Sequence, residues 1–137
     1  MRLYVLDACA LAAVLYGETG ADNVAHVINA AERGEVLLTM NKLNLLEVYY
    51  DAYRSLGREW AAQMLMGLRK MPITVNSDIT DEIFLEAGRL KATYKISLAD
   101  SIALAQASTS DGILLTSDHH EFDVVEKNEK IKFGWIR

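Results

Sequence analysis

Apolar positions along the chain alternate between short continuous runs and helical spacing. Leu3–Leu6 is a continuous apolar run and reads as a first strand. Ala8–Tyr16 reads as a compact apolar helix that stops near Gly17. In Ala21–Arg33 the residues Val24, Val27, Ile28 and Ala31 lie on one helical face, and Gly34 supplies a stop. Val36–Thr39 reads as a second strand. Asn41 caps a helix running to about Ser55, and another helix follows Gly57 to about Lys70. Pro72 ends it, and Ile73–Val75 reads as a third strand. Ser77 or Asp78 is expected to cap a helix over Ile79–Tyr94, and Ser97 to cap one over Leu98–Ser108. Gly112–Thr116 reads as a fourth strand, His119–Asn128 as a turn with at most a short helix, and Ile131–Ile136 as a fifth strand.

Strands that alternate with helices in this way predict an α/β fold: a mainly parallel, twisted sheet of about five strands with helices on both faces. Leu6, Leu38, Ile102, Leu114 and Leu115 are expected in its core. With 137 residues and no linker or repeat, residues 1–137 are expected to form one domain. The single proline argues against a loop-rich all-β fold. Cys9 is the only cysteine, so no intramolecular disulfide can form, and a cytoplasmic setting is expected. No apolar stretch reaches membrane-spanning length, and a strand-like run at the start is not the pattern expected of a secretory signal. The net charge of −5 argues against a protein that coats nucleic acid through general basicity. It is compatible with an enzyme that grips phosphate through metal ions, and it suits a basic protein partner.

Candidate chemistry lies in four separated acids. Asp7 ends the first strand, and Asp118 follows the fourth after Thr116 and Ser117. Glu47 and Asp100 fall in the first two turns of helices that begin where strands or loops reach the same edge. The carboxyl edge of an open parallel sheet is where ligands bind. The four acids should therefore converge within a few ångströms of a common ion position. Carboxylates gathered there without compensation repel one another and become harder to ionise. A Mg²⁺ or Mn²⁺ ion removes the conflict.

Each acid also has an ordinary explanation. Asp7 is a good helix N-cap. Glu47 has no basic neighbour a turn away and can be a surface residue. Ser97-Leu98-Ala99-Asp100 is close to a capping box, although the helix it opens is apolar nearly all round and an acid there is costly. Asp118 can be a turn residue, and Asp123 is an alternative fourth acid. Glu121, His119 and His120 are nearby, but no further His or Cys at ligand spacing supports a zinc site.

The segments carrying these acids resemble the motifs of the PIN-domain family, and specifically of the VapC toxins. Tyr4-Val5-Leu6-Asp7-Ala8-Cys9-Ala10-Leu11 resembles the first motif and Leu45-Leu46-Glu47-Val48 the second. Ile96 through Ala105, around Asp100, resembles the third and most specific motif. Leu114-Leu115-Thr116-Ser117-Asp118 resembles the fourth. One departure is Cys9, where the family usually has Ser or Thr, and a thiol is the weaker hydrogen-bond donor.

The resemblance implies a PIN-like three-layer α/β/α fold and a metal-dependent endoribonuclease, the toxin of a VapBC-type pair. Asp7 and Asp100 would be the principal ligands of one or two Mg²⁺ or Mn²⁺ ions. Glu47 and Asp118 would complete the site, and Thr116 would orient them. The implied partners are an RNA substrate, a small antitoxin covering the site and a second copy in a homodimer. Leu45–Tyr53 and Trp60–Leu68, with Trp60, Met64 and Met66, are candidate contact surfaces, and Arg54, Arg58, Arg69, Lys70, Arg89, Lys91 and Lys95 candidate RNA contacts. Two alternatives stand beside this reading: a catalytically inactive PIN-like interaction module, and a receiver-like phosphoacceptor domain.

Overall fold

The computed structural model describes residues 1–137. Five strands form one sheet: β1 (Arg2–Leu6), β2 (Val36–Asn41), β3 (Thr74–Asn76), β4 (Ile113–Thr116) and β5 (Lys132–Trp135). Their spatial order is β3-β2-β1-β4-β5, and every neighbouring pair is parallel. Seven helices connect them: α1 (Ala8–Tyr16), α2 (Ala21–Glu32), α3 (Lys42–Leu56), α4 (Arg58–Leu68), α5 (Asp81–Thr93), α6 (Leu98–Ser110) and α7 (His119–Asn128). Together they make the three-layer α/β/α arrangement that the alternation of strands and helices predicts.

Side chains alternate across the sheet, so each register row feeds one layer. Leu6 and Leu115 pack with α1 to α4, among Leu11, Val24, Val48 and Met64. Val5 and Leu114 pack with α5 to α7, among Leu90, Leu104, Phe122 and Val125. The five residues expected in the core are all buried. Helix α6 is the central helix of its layer, with Ser101 through Ala107 buried, as its nearly unbroken apolar sequence requires.

Two boundaries depart from the sequence reading. Helix α5 starts at Asp81, capped by Thr80, whose Oγ1 accepts from the Ile83 N–H at 3.2 Å. Ser77 and Asp78 lie before the helix and cap nothing, and Ile79 stays half exposed. The segment His119–Asn128 is a full helix. Phe122 and Val125, one turn apart, are both completely buried, and that anchor outweighs a weak apolar pattern.

The carboxyl end of β5 is held by the α1–α2 turn. Asn23 Nδ2 donates to the Ile136 carbonyl at 2.8 Å. Gly20, at φ 96°, lies so close that an added Cβ would stand 2.8 Å from that same oxygen. Both the left-handed backbone and the close approach require glycine. Gly20→Ala should therefore lower stability by roughly 2–3 kcal/mol in urea unfolding. A loss below about 0.5 kcal/mol would contradict the packing described.

Candidate active site

The chain leaves β1 for β2 and β3, then returns to place β4 on the other side of β1. The strand order reverses between β1 and β4, and the crevice beyond the carboxyl ends at such a point is the place for a ligand. Asp7 follows β1 directly, and Asp118 follows β4 after Ser117. This sheet order also differs from the 2-1-3-4-5 order of receiver domains, which removes that alternative.

Asp7 is 2% exposed. It caps α1, with Oδ1 accepting from the Ala10 N–H at 2.9 Å. Burial nevertheless pushes its carboxyl up to about 7. Hydrogen bonds from Thr116 and Ala10 oppose the rise, and repulsion from Asp100 and Asp118 adds to it. The capping role and the site role expected of Asp7 coexist in one side chain.

Asp100 lies in the first turn of α6, its N–H held by Ser97 Oγ at 3.0 Å. Burial first, then repulsion from Asp118 and smaller contributions from Glu47 and Glu121, hold its carboxyl up at about 6, against the hydrogen bond with Ser97. Glu47 is half-buried on α3, and burial also raises its pKa, against a hydrogen bond from Asn44. Asp118 caps α7, with Oδ1 accepting from the Glu121 N–H at 3.1 Å. Its own N–H donates to Thr116 Oγ1 at 3.1 Å. The buried Thr116 hydroxyl thus touches both Asp7 and Asp118. Asp123 points elsewhere and binds His119 Nδ1 at 2.8 Å. Asp118, not Asp123, is the acid felt by Asp7 and Asp100.

Cys9 reaches the surface, yet its thiol is sufficiently walled in that burial, followed by Asp7, Asp118 and Asp100, pushes it up to about 12. It is a neutral S–H facing Ser117, not a thiolate.

One residue escaped the sequence reading. Asn44 is buried on α3, and its Nδ2 donates to the Ala99 carbonyl at 3.0 Å. It ties the helix carrying Glu47 to the first turn of the helix carrying Asp100. It stands at no motif position, and a single buried Asn within a helical pattern gives no signal. Glu121, which the sequence placed near Asp118, adds a fifth acidic side chain to the rim.

None of the four acids forms an ion pair; all six salt bridges lie elsewhere. The four do not close on one ion position as expected. No group of three Asp, Glu, His or Cys side chains stands in a geometry to hold a metal ion by itself. Mutual repulsion is the physical reason that uncompensated carboxylates stay apart. The donor set still fits Mg²⁺ or Mn²⁺, which take hard oxygen ligands; Mg²⁺ keeps several waters and needs only one or two carboxylates. It does not fit zinc.

Of the expected contact surfaces, Leu45, Val48 and Met64 are buried in the core and Trp60 stacks on Tyr16 at 5.7 Å, whereas Leu46, Tyr50, Tyr53 and Met66 are exposed. Arg54 pairs with Asp51, and Arg89 with Glu86 and Glu129, so these two cations are already engaged. No helix is long and apolar enough to cross a membrane.

The model of the PIN domain family matches residues 4–128. The chain belongs to the PIN domain family. No curated protein matches its sequence. Among solved structures, this PIN domain is similar to VapBC-1 from nontypeable Haemophilus influenzae, with a TM-score of 0.74, 18% identity and 98% of each chain covered. VapBC2 from Rickettsia felis, bound to a DNA fragment from its promoter, gives 0.74 at 14% identity with 98% of each chain covered. VapC20 from Mycobacterium tuberculosis, a toxin that cleaves the Sarcin-Ricin loop, gives 0.61 at 13% identity, covering 81% of this chain and 86% of that chain.

The raised acids make a stability prediction for the metal-free protein. Asp7 has a folded pKa of about 7 against an ordinary 3.8, so between these values the folded state holds more protons than the unfolded chain. Its contribution therefore favours folding below about pH 4 and is lost as pH rises through 7, a penalty of at most about 4 kcal/mol. Asn keeps the cap without the charge. In EDTA, Asp7→Asn should melt at a higher temperature than the parent at pH 8, and the two should approach one another near pH 5. A variant less stable than the parent at pH 8 would contradict the assigned environment.

Proposed function

We propose that this PIN domain is a Mg²⁺- or Mn²⁺-dependent endoribonuclease and the toxin of a VapBC-type toxin–antitoxin pair. One observation carries the reading: Asp7, Asp100 and Asp118 feel one another at the β1–β4 crevice, and no cation of the protein answers them. Family membership and likeness to VapBC structures support it.

Asp7 and Asp100 would hold the ion, with Glu47 and Asp118 completing the site directly or through water. When bound, the cation neutralises the carboxylates, polarises the scissile phosphate and eases deprotonation of an attacking water. The chain's own residues fix the acids beforehand. Thr116 orients Asp7 and Asp118, Ser97 steadies Asp100, and Asn44 holds the Glu47 helix against α6. Attack by water leaves a 5′-phosphate and a 3′-hydroxyl.

An antitoxin would neutralise this site with a basic segment. A cleft of about 240 Å³ lined by Ala8, Cys9, Ala12, Tyr16, Glu47 and Asp51 runs from the acid rim along α1 and α3. Its small apolar floor and acidic walls suit a segment carrying an Arg, which pairs bidentately with carboxylates. The net charge of −5 steers such a partner inward.

For the homodimer, α5 offers an apolar face in addition to those on the helices the sequence suggested. Phe84 is 66% and Leu85 70% exposed, and with Ile79 and Leu98 they flank an apolar groove of about 500 Å³. Asp81 and Glu82 open α5, and Lys91 lies near its end. A two-fold antiparallel pairing of α5 with its copy would set acid against base at both ends.

Two outcomes are expected. Asp100→Asn should abolish Mn²⁺-stimulated, EDTA-sensitive cleavage of RNA while circular dichroism stays unchanged; full activity in that variant removes the assignment. The double variant Phe84→Glu, Leu85→Glu should convert a dimer to a monomer by light scattering. A dimer that persists through this change, or a parent that is monomeric, argues against the α5 interface and leaves the nuclease reading intact.

A further inference from the structure

Four rings run in series from the core to the surface beside the acid rim. Phe122 is fully buried and lies 5.9 Å from Phe133. Phe133 stacks on Trp135 at 5.2 Å with planes 9° apart. Trp135 in turn carries the imidazole of His119 at 3.8 Å and 13°.

His119 is fixed along its edges. Nδ1 meets Asp123 Oδ1 at 2.8 Å, and Nε2 meets the Arg137 carbonyl at 2.9 Å. Trp135 is fixed too, its Nε1 donating to Glu126 at 3.0 Å. Even so, the His119 side chain keeps 48% of its surface exposed. One ring face lies on Trp135 and both nitrogens are engaged. The open surface is therefore mainly the other face. The edge contacts explain how the C-terminus is held. They do not require that a rigid, flat aromatic face be left uncovered at the end of a stack.

The place of this stack matters. Trp135 pairs in register with Thr116, and Leu6 with Leu115. Asp7 and Thr116 are the next positions along β1 and β4, and the two hydrogen-bond. Registered residues in parallel strands project from the same face, so Asp7, Thr116 and Trp135 form one row along the carboxyl edge. Adjacent strands are about 4.8 Å apart, so Trp135 stands one strand from Thr116 and about 10 Å along the sheet edge from Asp7. His119 itself directly follows Asp118.

Resting on the nuclease reading above, we infer that the open face of His119 is the stacking platform for a base of single-stranded RNA beside the scissile phosphate. An RNA backbone drawn to the acid rim must direct its bases away from the carboxylates. Every base has a flat π-face, so a preordered aromatic surface accepts it with little dependence on sequence. Trp135 and Phe133 behind the imidazole keep the platform from tilting under the load. His119 is thus a positioning residue for substrate and takes no part in the bond-breaking step.

The test uses short single-stranded RNAs carrying 2-aminopurine at each position in turn. They are titrated into the full-length Asp100→Asn protein with His119 intact or changed to Phe, Gln or Ala. Stacking quenches 2-aminopurine fluorescence. With His119 intact, quenching is expected at one position of the bound RNA. His119→Ala should weaken binding roughly 5- to 150-fold and remove that quench. His119→Phe keeps a ring but loses both edge contacts, whereas His119→Gln keeps hydrogen-bonding capacity and loses the ring. A platform predicts that Phe binds RNA more tightly than Gln; a purely structural role predicts the reverse. Gln equal to or better than Phe, or a quench unchanged in Ala, overturns the inference. Mn²⁺-dependent cleavage by the unmodified protein is measured in parallel. Cleavage with no effect of His119 rejects the platform alone, whereas neither cleavage nor RNA binding rejects the nuclease reading and the platform with it.

Discussion

The structure turns on the repulsion among carboxylates held at the reversal point of a parallel sheet. Asp7 is buried, Asp100 and Asp118 stand close enough to raise its pKa, and no Lys or Arg pairs with any of them. A fold bears such a conflict only where surrounding contacts fix it in place. Here they do. Asp7 and Asp118 cap α1 and α7, Ser97 holds the Asp100 N–H, and Thr116 touches both strand-end acids. The caps are what make the rim rigid, so the ordinary role of each acid supports its special one.

The surrounding architecture follows from keeping that rim together. Helix α6 is apolar nearly all round because it is packed between the sheet and its own layer, and this delivers Asp100 to the crevice. Helix α3 is bound to α6 by Asn44, which brings Glu47 within electrostatic reach of Asp100. The last strand carries Trp135 beside Thr116 and closes the rim on its far side. Negative charge is thus concentrated where a cation would neutralise it. The open groove along α5 is apolar and lies on a different surface.

Much of this was legible in the sequence, for specific reasons. Asp7 and Asp118 are each placed by an apolar run too short for a helix, which reads as a buried strand, and such strands fix where their carboxyl ends fall. Asp100 is placed by the contradiction of an acid opening an apolar helix. Other features were not legible. Helix α7 has only Phe122 and Val125 as anchors, too few to reveal a period, although both are completely buried. The pattern of α5 marks Ile83, Ala87 and Leu90 as apolar but cannot tell that Phe84 and Leu85 face outward. Asn44 and the ring stack depend on contacts between distant segments, which local spacing does not encode. The mutual geometry of the acids was likewise beyond spacing alone: no three of them stand ready to hold an ion by themselves.

The central claim is that these carboxylates form the seat of a divalent cation. Crystals of the protein soaked in Mn²⁺ and measured for anomalous scattering test it most directly. The account predicts an anomalous peak in the β1–β4 crevice, in contact with Asp7 or Asp100, with the neighbouring acids drawn inward relative to crystals grown in EDTA. Well-ordered crystals with no peak there at millimolar Mn²⁺, or with Mn²⁺ only on surface acids such as Asp111 or Asp123, would contradict it.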